Sequence, residues 1–303
     1  MDIALTGSSG LIGTALRFAL DLDGHRILRV MRSGHAAPDS IGWDPSAGSI
    51  DAGGLEGLDA VIHLAGAGVG DRRWNEDYKQ TIRDSRVEGT NLLARTLADL
   101  DRPPKTLVSS SAIGYYGSRG DEKLDESSTP GSDFLAEMVV EWEAATTDAE
   151  QAGIRVAHAR TGVVLSAKGG ALGKVLPLFK AGLGGKLGSG LQYWSWISID
   201  DVVDGFRFLV ANDVSGSVNL TGPEPVTNAV YTTAVGQALG RPTVLSVPAF
   251  APRLLLGREM ADSILFASAR VFPRRLEQAG FSFRHRTVAE AVEAVLTAGS
   301  EHA

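Results

Sequence analysis

The chain of 303 residues contains no cysteine. Disulfide bonds, thiolate nucleophiles and cysteine-based metal sites are therefore excluded, and nothing in the composition indicates an oxidising compartment. The six histidines never fall into a short ligand spacing such as H-x-x-x-H, so the sequence gives no support for a metal site. These absences remove several classes of enzyme.

Long apolar runs and long basic runs are also missing. No apolar segment approaches the ~20 residues that a membrane span needs, and the amino terminus lacks the basic and apolar regions of a signal peptide. The net charge of −7 argues against a general nucleic-acid or anionic-membrane surface, because both need a basic patch. We therefore expect a cytoplasmic protein that binds an unknown small-molecule substrate, with no nucleic acid and no membrane. A protein partner or a homodimer stays open.

The pattern of apolar residues predicts alternating strands and helices. The predicted strands are 2–6, 26–31, 60–64, 106–108 and 156–158, and the predicted helices are 11–22, 75–100 and 132–152. The first strand, helix and second strand form a βαβ unit of about thirty residues, which requires parallel pairing. This alternation predicts an α/β fold with a Rossmann-type doubly wound parallel sheet.

The composition changes after residue 162. Residues 162–190 contain nine glycines in 29 positions together with basic side chains, which predicts loop or lid structure. From about residue 225 the pattern is helical again, interrupted by the proline-rich segment 247–257. We therefore predict a Rossmann domain over residues 1–224, with 165–195 contributing a lid to the substrate side. A smaller C-terminal α/β cap domain is predicted over residues 225–303.

A glycine-rich turn lies directly between the first predicted strand and the first predicted helix. Its glycines follow the spacing G-x-x-G-x-x-G. They allow a tight turn, close approach of the backbone to a pyrophosphate and close packing of helix on strand, while N–H groups at the helix N-terminus bind the anion. The sequence therefore predicts a dinucleotide-binding loop with contacts from Gly7, Ser9, Gly10, Leu11, Ile12 and Gly13.

The end of the second predicted strand indicates which dinucleotide is bound. NAD enzymes generally place an acidic residue there to hold the ribose hydroxyls, but the charged side chains between residues 24 and 38 are Arg26, Arg29 and Arg32. Arg32 lies about 20 residues beyond the glycine loop, where a 2′-phosphate would sit. Arginine pairs with this phosphate, whereas an acid would repel it. The sequence therefore predicts NADP(H), with Ser33 adding a hydroxyl contact.

Three motifs in order, at residues 6–13, 59–66 and 107–112, resemble those of the extended short-chain dehydrogenase/reductases, the sugar-nucleotide epimerase and dehydratase family. A closer resemblance, over essentially the whole chain, is to the atypical epimerase-like subfamily with a domain of unknown function at its carboxyl end. It is carried by residues 73–74, 85–86, 114–116, 160–165, 182–190, 195–197, 221–223, 270–273 and 280–281.

The resemblance implies roles for individual residues. Ser111 matches the family's serine or threonine that hydrogen-bonds a substrate oxygen. Taken singly, each of the implied residues is equally compatible with ordinary packing or a surface salt bridge. The implied cofactor contacts are Leu64, Ala65 and Gly66 at the end of their strand, with Thr81, Arg86 and Arg160 reaching in from helix and strand.

One pair of residues that the resemblance implies is absent. Active family members use tyrosine and lysine at Y-x-x-x-K on one helix face, and the lysine lowers the tyrosine pKa for proton transfer. The corresponding positions here are Phe134 and Met138, neither of which can transfer a proton. A phenol from Tyr115 or Tyr116, in a glycine-rich loop near Ser111, is the alternative donor, and a packed aromatic pair is the other interpretation.

Two functions remain open. The first is an NADP(H)-dependent, epimerase-like oxidoreductase of unknown substrate, in which Ser111 and Tyr116 orient the substrate oxygen without the tyrosine–lysine relay. The second is a non-catalytic NADP(H)-binding protein with a sensory or scaffold role. The missing relay favours the second, whereas the full cofactor cradle beside a basic, glycine-rich lid favours the first.

Overall fold

An eight-stranded sheet forms the centre of the fold, in a computed structural model that describes residues 1–32 and 39–300. Its strands are β1 (Asp2–Thr6), β2 (Arg26–Arg32), β3 (Ser40–Asp44), β4 (Ser49–Ile50), β5 (Ala60–His63), β6 (Thr106–Ala112), β7 (Arg155–Thr161) and β8 (Gly216–Leu220). Their order is β8-β7-β6-β5-β1-β2-β3-β4, and every neighbouring pair is parallel except β3 with β4.

Helices cover both faces of this sheet. Helices α1 (Leu11–Leu22) and α6 (Ile199–Ala211) pack on one face, whereas α2 (Glu76–Ala98) and α4 (Thr147–Gln151) pack on the other. In the described part of the chain the helices are α1 (Leu11–Leu22), α2 (Glu76–Ala98), α3 (Phe134–Ala144), α4 (Thr147–Gln151), α5 (Gly170–Lys180), α6 (Ile199–Ala211), α7 (Asn228–Leu239), α8 (Phe250–Leu256), α9 (Arg258–Ala261), α10 (Arg274–Gln278) and α11 (Val288–Ser300). This arrangement confirms the predicted doubly wound α/β fold.

The central strands are buried on both faces. Leu5 of β1 packs with Ile62 of β5 on one face, while Ala4 packs with Val61 on the other, and all four side chains are fully buried. The chain leaves β1 toward the face covered by α1 and leaves β5 toward the face covered by α2. The carboxyl ends of these two strands therefore flank the crevice in which open α/β sheets bind ligands.

Among the described residues, four short strand pairs lie outside this sheet, and three of them connect the segment after β6 to the C-terminal region. Helices α5, α7 and α11 share a core with the pairs that contain Leu165 and Trp194. The pairs are Lys123–Leu124 with Arg270–Val271, Val163–Leu165 with Trp196–Ser198, Gly185–Leu187 with Leu245–Val247, and Tyr193–Trp194 with Val226–Thr227.

Two local predictions were wrong. The glycine-rich segment 162–190 contains helix α5, because Leu172, Leu176 and Phe179 supply a buried apolar stripe at helical spacing. The predicted helix 132–152 is divided into α3 and α4. Among the helices within the described ranges, none is long and apolar enough to cross a membrane.

Candidate functional site

The loop between β1 and α1 requires glycine at two of its three glycine positions. Gly7 has φ +64°, and a Cβ there would lie 2.7 Å from the carbonyl carbon of Leu64. A Cβ at Gly13 would lie 2.2 Å from the Gly7 oxygen. A Cβ at Gly10 would meet only that same oxygen, at 3.3 Å. Gly7 and Gly13 therefore hold the turn together, whereas Gly10 leaves its outer side open to a ligand.

The amino terminus of α1 begins at this loop without a cap. No side chain caps it at Gly10, and no acidic residue lies in its first turn. The first N–H groups of a helix have no partner within the helix, and they carry partial positive charge. The backbone at Leu11, Ile12 and Gly13 is thus suited to bind the diphosphate of a dinucleotide, with the exposed Ser9 beside it.

A buried hydrogen-bond network joins the carboxyl ends of β1 and β5. Thr6 Oγ1 accepts bonds from the backbone N–H groups of Leu64 (2.9 Å) and Ala65 (3.0 Å), and it lies 2.8 Å from His63 Nδ1. With both of its acceptor directions used, the Thr6 hydroxyl donates to Nδ1. This bond fixes the backbone at the predicted cofactor contacts Leu64 and Ala65.

The other side of the His63 ring points to α2. Nε2 lies 3.0 Å from Thr90 Oγ1, which also accepts a 2.9 Å bond from Trp142 Nε1. Complete burial lowers the pKa of His63 to about 4, with a smaller contribution from the nearby Arg86 charge, so the ring is neutral near pH 7. Sequence analysis missed this network because only the fold brings Thr6, His63, Thr90 and Trp142 together.

Arg86 places an unpaired positive charge beside Gly66. Its Nη1 donates to the carbonyl oxygens of Ala67 (2.8 Å) and Ile82 (3.1 Å), and its Nε is buried without a partner. A Cβ at Gly66 would lie 3.3 Å from this side chain. Burial lowers the pKa of Arg86 to about 10, so it keeps its charge near pH 7. No carboxylate of the described residues pairs with it, which leaves the guanidinium available to an anionic ligand.

Two arginines of β2 differ in their contact with the glycine loop. Arg29 Nε donates to Ser8 Oγ at 3.1 Å, which links β2 directly to the loop. Arg32 is exposed at the last residue of the strand. Ser33, predicted beside it, lies outside the described residues. The contact from Arg29 to the loop was not predicted, although the sequence contained its signal as a further cation on the same strand.

Three of the predicted side chains converge on or near Glu143 of α3, at the carboxyl ends of β6 and β7. Ser111 Oγ donates to Glu143 Oε1 at 2.6 Å, and Arg160 donates from Nε and Nη2 to both carboxylate oxygens at 2.8 and 2.7 Å. Burial opposes ionisation of Glu143, but the bonds and charge of Arg160 hold its pKa below the ordinary value. The result is a buried, bidentate ion pair.

The third of these side chains, Tyr116, is fully buried. Its hydroxyl donates to Asn219 Oδ1 at 2.8 Å and accepts from Arg160 Nη1 at 3.1 Å, and burial raises the pKa of Tyr116 to about 12. The predicted catalytic role of Tyr116 conflicts with this geometry, because its hydroxyl is closed to solvent and engaged on both sides. Ser111 and Arg160 both bind Glu143, and their predicted contacts with substrate and cofactor stay predictions.

Tyr115 is the phenol that borders the position expected for the proton relay. Its ring is half-buried with the Arg160 guanidinium carbon 3.4 Å from its centroid, and its hydroxyl has no hydrogen bond to the described residues. It packs with the cluster that contains Phe134 and the buried Met138. Phe134 itself stacks edge-on against Trp74. Phe134 and Met138 thus lie in apolar surroundings, and their correspondence to the relay positions stays a prediction.

Thr81 stands apart from these clusters. It is exposed on α2, and its hydroxyl donates to the Asp77 carbonyl at 2.9 Å. One turn later, Ser85 accepts a 3.0 Å bond from the backbone N–H of Ala67. The structure thus brings Ser85, rather than Thr81, to the segment after β5.

Comparison with known proteins assigns the chain to a family. Residues 3–221 match the NAD dependent epimerase/dehydratase family, and residues 247–295 match a domain of unknown function. An epimerase family protein of Mycobacterium bovis is 47% identical over 291 residues, which is 96% of this chain and 96% of that protein. The structure of human epimerase family protein SDR39U1 (isoform 2) with NADPH is 34% identical with a TM-score of 0.89, covering 98% of this chain and 99% of the human one. These matches confirm the resemblance found in the sequence, and the chain belongs to the NAD dependent epimerase/dehydratase family.

Proposed function

We propose that this protein binds NADP(H) and transfers hydride between it and an unidentified carbonyl or alcohol substrate. The observation that carries the proposal is the glycine loop, whose open side at Gly10 faces the uncapped amino terminus of α1. A diphosphate needs such a set of free N–H groups. The human relative at 34% identity was solved with NADPH, which supports the same cofactor here.

The phosphate groups account for the charged residues around the loop. Backbone N–H groups at Leu11 and Ile12 would hold the diphosphate, and Arg32 would pair with the 2′-phosphate. Arg29 bonds to Ser8 of the loop and is a further cation on this strand. Arg86 offers a further cation beside Gly66. When bound, the cofactor supplies or accepts the hydride.

Tyr115 is the residue that we assign to proton transfer. Its hydroxyl forms no hydrogen bond with the described residues, it lies shortly after β6, and it packs beside Phe134 and Met138. The guanidinium of Arg160 lies over its ring and holds it in place, so Arg160 acts as a positioning residue. Tyr115 would give its proton to the substrate oxygen during reduction and take one from it during oxidation, exchanging the proton with solvent.

A second candidate is a protein that binds NADP(H) without turnover. It is favoured by Phe134 and Met138 at the relay positions and by the internal hydrogen bonds of Ser111 and Tyr116. In this case the cofactor would act as a structural or sensory ligand.

The two candidates differ in cofactor turnover. Calorimetry with NADPH and NADH tests binding, and nicotinamide absorbance during incubation with NADPH and a broad set of carbonyl compounds tests turnover. We expect Tyr115→Phe to abolish turnover while NADPH affinity stays within about two-fold. Tyr116→Phe is the matched control, expected to lower stability and retain turnover.

Saturable turnover that survives in Tyr115→Phe would contradict the assignment of the proton to this residue. Tight NADPH binding without turnover on any compound would support the second candidate. Absence of NADPH binding would exclude both.

A further inference from the structure

Exposed apolar side chains are concentrated in one part of this chain. Of the thirteen large apolar side chains that are exposed among the described residues, nine lie between residues 178 and 255. The most exposed include Val244 (88%), Leu254 (77%), Leu255 (77%) and Phe250 (69%). Soluble proteins rarely expose many large apolar side chains close together, and such a group marks an interaction site.

The segments that carry these side chains are neighbours in space. The backbone N–H of Leu183 donates to Leu178 at 2.9 Å, directly after α5. The next strand, Gly185–Leu187, pairs in parallel with Leu245–Val247, and Gly188 donates to Val247 at 2.9 Å. Helix α8 begins three residues later. We call residues 178–191 and 244–256 the apolar surface.

Helix α8 is the most unusual part of the apolar surface. Its sequence is FAPRLLL, and it has no buried residue. An isolated helix of this length is unstable in water, and most helices gain stability by burying an apolar face. Leu254 and Leu255 are adjacent and each is 77% exposed, so no described residue covers the apolar side chains at the end of this helix.

The charge of this region differs from that of the whole chain. The chain has 36 acidic residues and a net charge of −7, but neither residues 162–199 nor residues 225–258 contain one. The two stretches hold lysines and arginines instead. Arg253 and Arg258 share Asp262 as a partner. Lys180, Lys186 and Arg241 form no ion pair with any described residue, so the apolar surface is bordered by uncompensated positive charge.

We propose that the apolar surface docks on an anionic lipid bilayer, with Leu254, Leu255 and Phe250 entering the headgroup region. Apolar side chains beside lysines and arginines are the combination that binds such an interface. A symmetric dimer through this surface would bring like charges together, which disfavours a second copy of the chain. The expectation of no membrane contact rested on the net charge of the whole chain. That number does not show that residues 162–199 and 225–258 contain no acidic residue.

Co-sedimentation with lipid vesicles tests the proposal. One vesicle type contains phosphatidylcholine alone, and the other contains about one third phosphatidylglycerol. We expect binding to the anionic vesicles only, weakened at about 0.5 M salt because screening removes the electrostatic attraction. Removal of the three unpaired cations, Lys180→Gln with Lys186→Gln and Arg241→Gln, should weaken binding by roughly a hundred-fold, from about 1 kcal/mol per charge.

The apolar contribution has a matched control. Leu254→Ser with Leu255→Ser should weaken vesicle binding at least about ten-fold. Phe18→Ser with Leu22→Ser removes two side chains of similar exposure (65% and 73%) from α1 and should leave it unchanged. NADPH affinity should be the same in the unmodified protein, the triple cation variant and the two apolar double variants, which verifies that all four are folded.

Absence of binding to anionic vesicles would overturn the proposal. Equal vesicle binding by the Leu254→Ser, Leu255→Ser variant and the Phe18→Ser, Leu22→Ser control would overturn it as well. A dimer in solution that Leu254→Ser with Leu255→Ser dissociates, without vesicle binding, would assign the surface to a second copy instead.

Discussion

Thr6 and His63 connect the first and fifth strands at the carboxyl edge of the sheet, with Thr6 Oγ1 2.8 Å from His63 Nδ1. Thr6 already accepts two backbone N–H groups, so its own proton lies on this bond and Nδ1 must be the acceptor. Only a neutral imidazole with its proton on Nε2 satisfies both this bond and the contact with Thr90. Protonation of His63 would therefore break the hydrogen bond between Thr6 Oγ1 and Nδ1.

This requirement makes stability depend on pH. Burial lowers the pKa of His63 from 6.5 to about 4 in the folded chain, so the unfolded chain binds the proton first as pH falls. The contribution of neutral His63 to the unfolding free energy is complete above about pH 6.5. It is lost progressively as the pH falls from there through about 4. Between about pH 7 and pH 5, this single group should remove about 2 kcal/mol from the unfolding free energy.

Urea denaturation at both pH values, for the unmodified protein and for His63→Gln, measures this effect. The variant cannot titrate, so it should lose about 2 kcal/mol less over the interval than the unmodified protein. Equal losses in the two proteins would show that other groups account for the pH dependence.

Substitution of Gly10 should lower NADPH affinity, whereas substitution of Gly13 should lower stability. Gly10→Val places a branched side chain on the open side of the loop, so NADPH affinity should fall at least about ten-fold while circular dichroism stays unchanged. Gly13→Ala forces a Cβ to within 2.2 Å of the Gly7 oxygen and should lower the unfolding free energy by about 1–3 kcal/mol. A Gly10→Val protein that binds NADPH normally would show that this turn is structural only.

Arg32→Glu should separate the two nicotinamide cofactors. It removes a charge-assisted pair with the 2′-phosphate and adds repulsion, so NADPH affinity should fall by about ten-fold or more while NADH affinity changes little. Calorimetry with both cofactors measures the difference, and Arg95→Glu, an exposed charge reversal near the end of α2, is the control. Equal affinities for NADPH and NADH in the unmodified protein would contradict the role of Arg32.

Local patterns were sufficient to predict the fold. Strand β1 and helix α1 have the bounds that the apolar spacing predicts, because both bury a regular set of residues. Strands β3, β4 and β8 were not predicted, since they are short or polar, and their pairing depends on distant partners. The predicted boundary between the domains near residue 224 stays a prediction.

The site was harder to predict than the fold. Motifs identified Ser111 and Arg160, but both bind Glu143, which lies 32 and 17 residues away from them in the chain. Alternation along β6 also places Ser111 on the strand face that turns toward α3. Which partner a polar side chain finds depends on tertiary packing, so residue type alone did not predict the contacts with Glu143, and the roles of Ser111 and Arg160 toward substrate and cofactor stay predictions.

The ion pair of Arg160 with Glu143 should be expensive to break. Arg160→Met leaves a buried carboxylate without its cation and should lower the unfolding free energy by about 3–5 kcal/mol in urea denaturation. Arg83→Met breaks the solvent-exposed pair with Glu141 and should lower the unfolding free energy far less. Similar losses in the two variants would mean that Glu143 reaches solvent or another partner.

The relay positions allow a test of whether ordinary family chemistry was lost by residue type alone. Phe134→Tyr combined with Met138→Lys restores the Y-x-x-x-K spacing on one face of α3. We expect the double variant to show no turnover of common sugar nucleotides. Met138 is only 3% exposed and packs with Ile82, Val139 and Trp142, so a lysine there would be desolvated and its pKa lowered toward the neutral form.

Geometry adds to this obstacle. Phe134 stacks against Trp74, and the Lys79 ammonium lies 5.0 Å from its ring centroid. These neighbours would fix the ring of a tyrosine at this position, so its hydroxyl could not move to meet a substrate. Proton transfer needs the hydroxyl within hydrogen-bond reach of the substrate oxygen. Nicotinamide absorbance with sugar nucleotides measures the outcome, and Met138→Leu is the control for packing. Turnover at about 1–10³ s⁻¹, as in natural enzymes, would instead mean that the site lacked only two side chains, and the non-catalytic candidate would lose its main support.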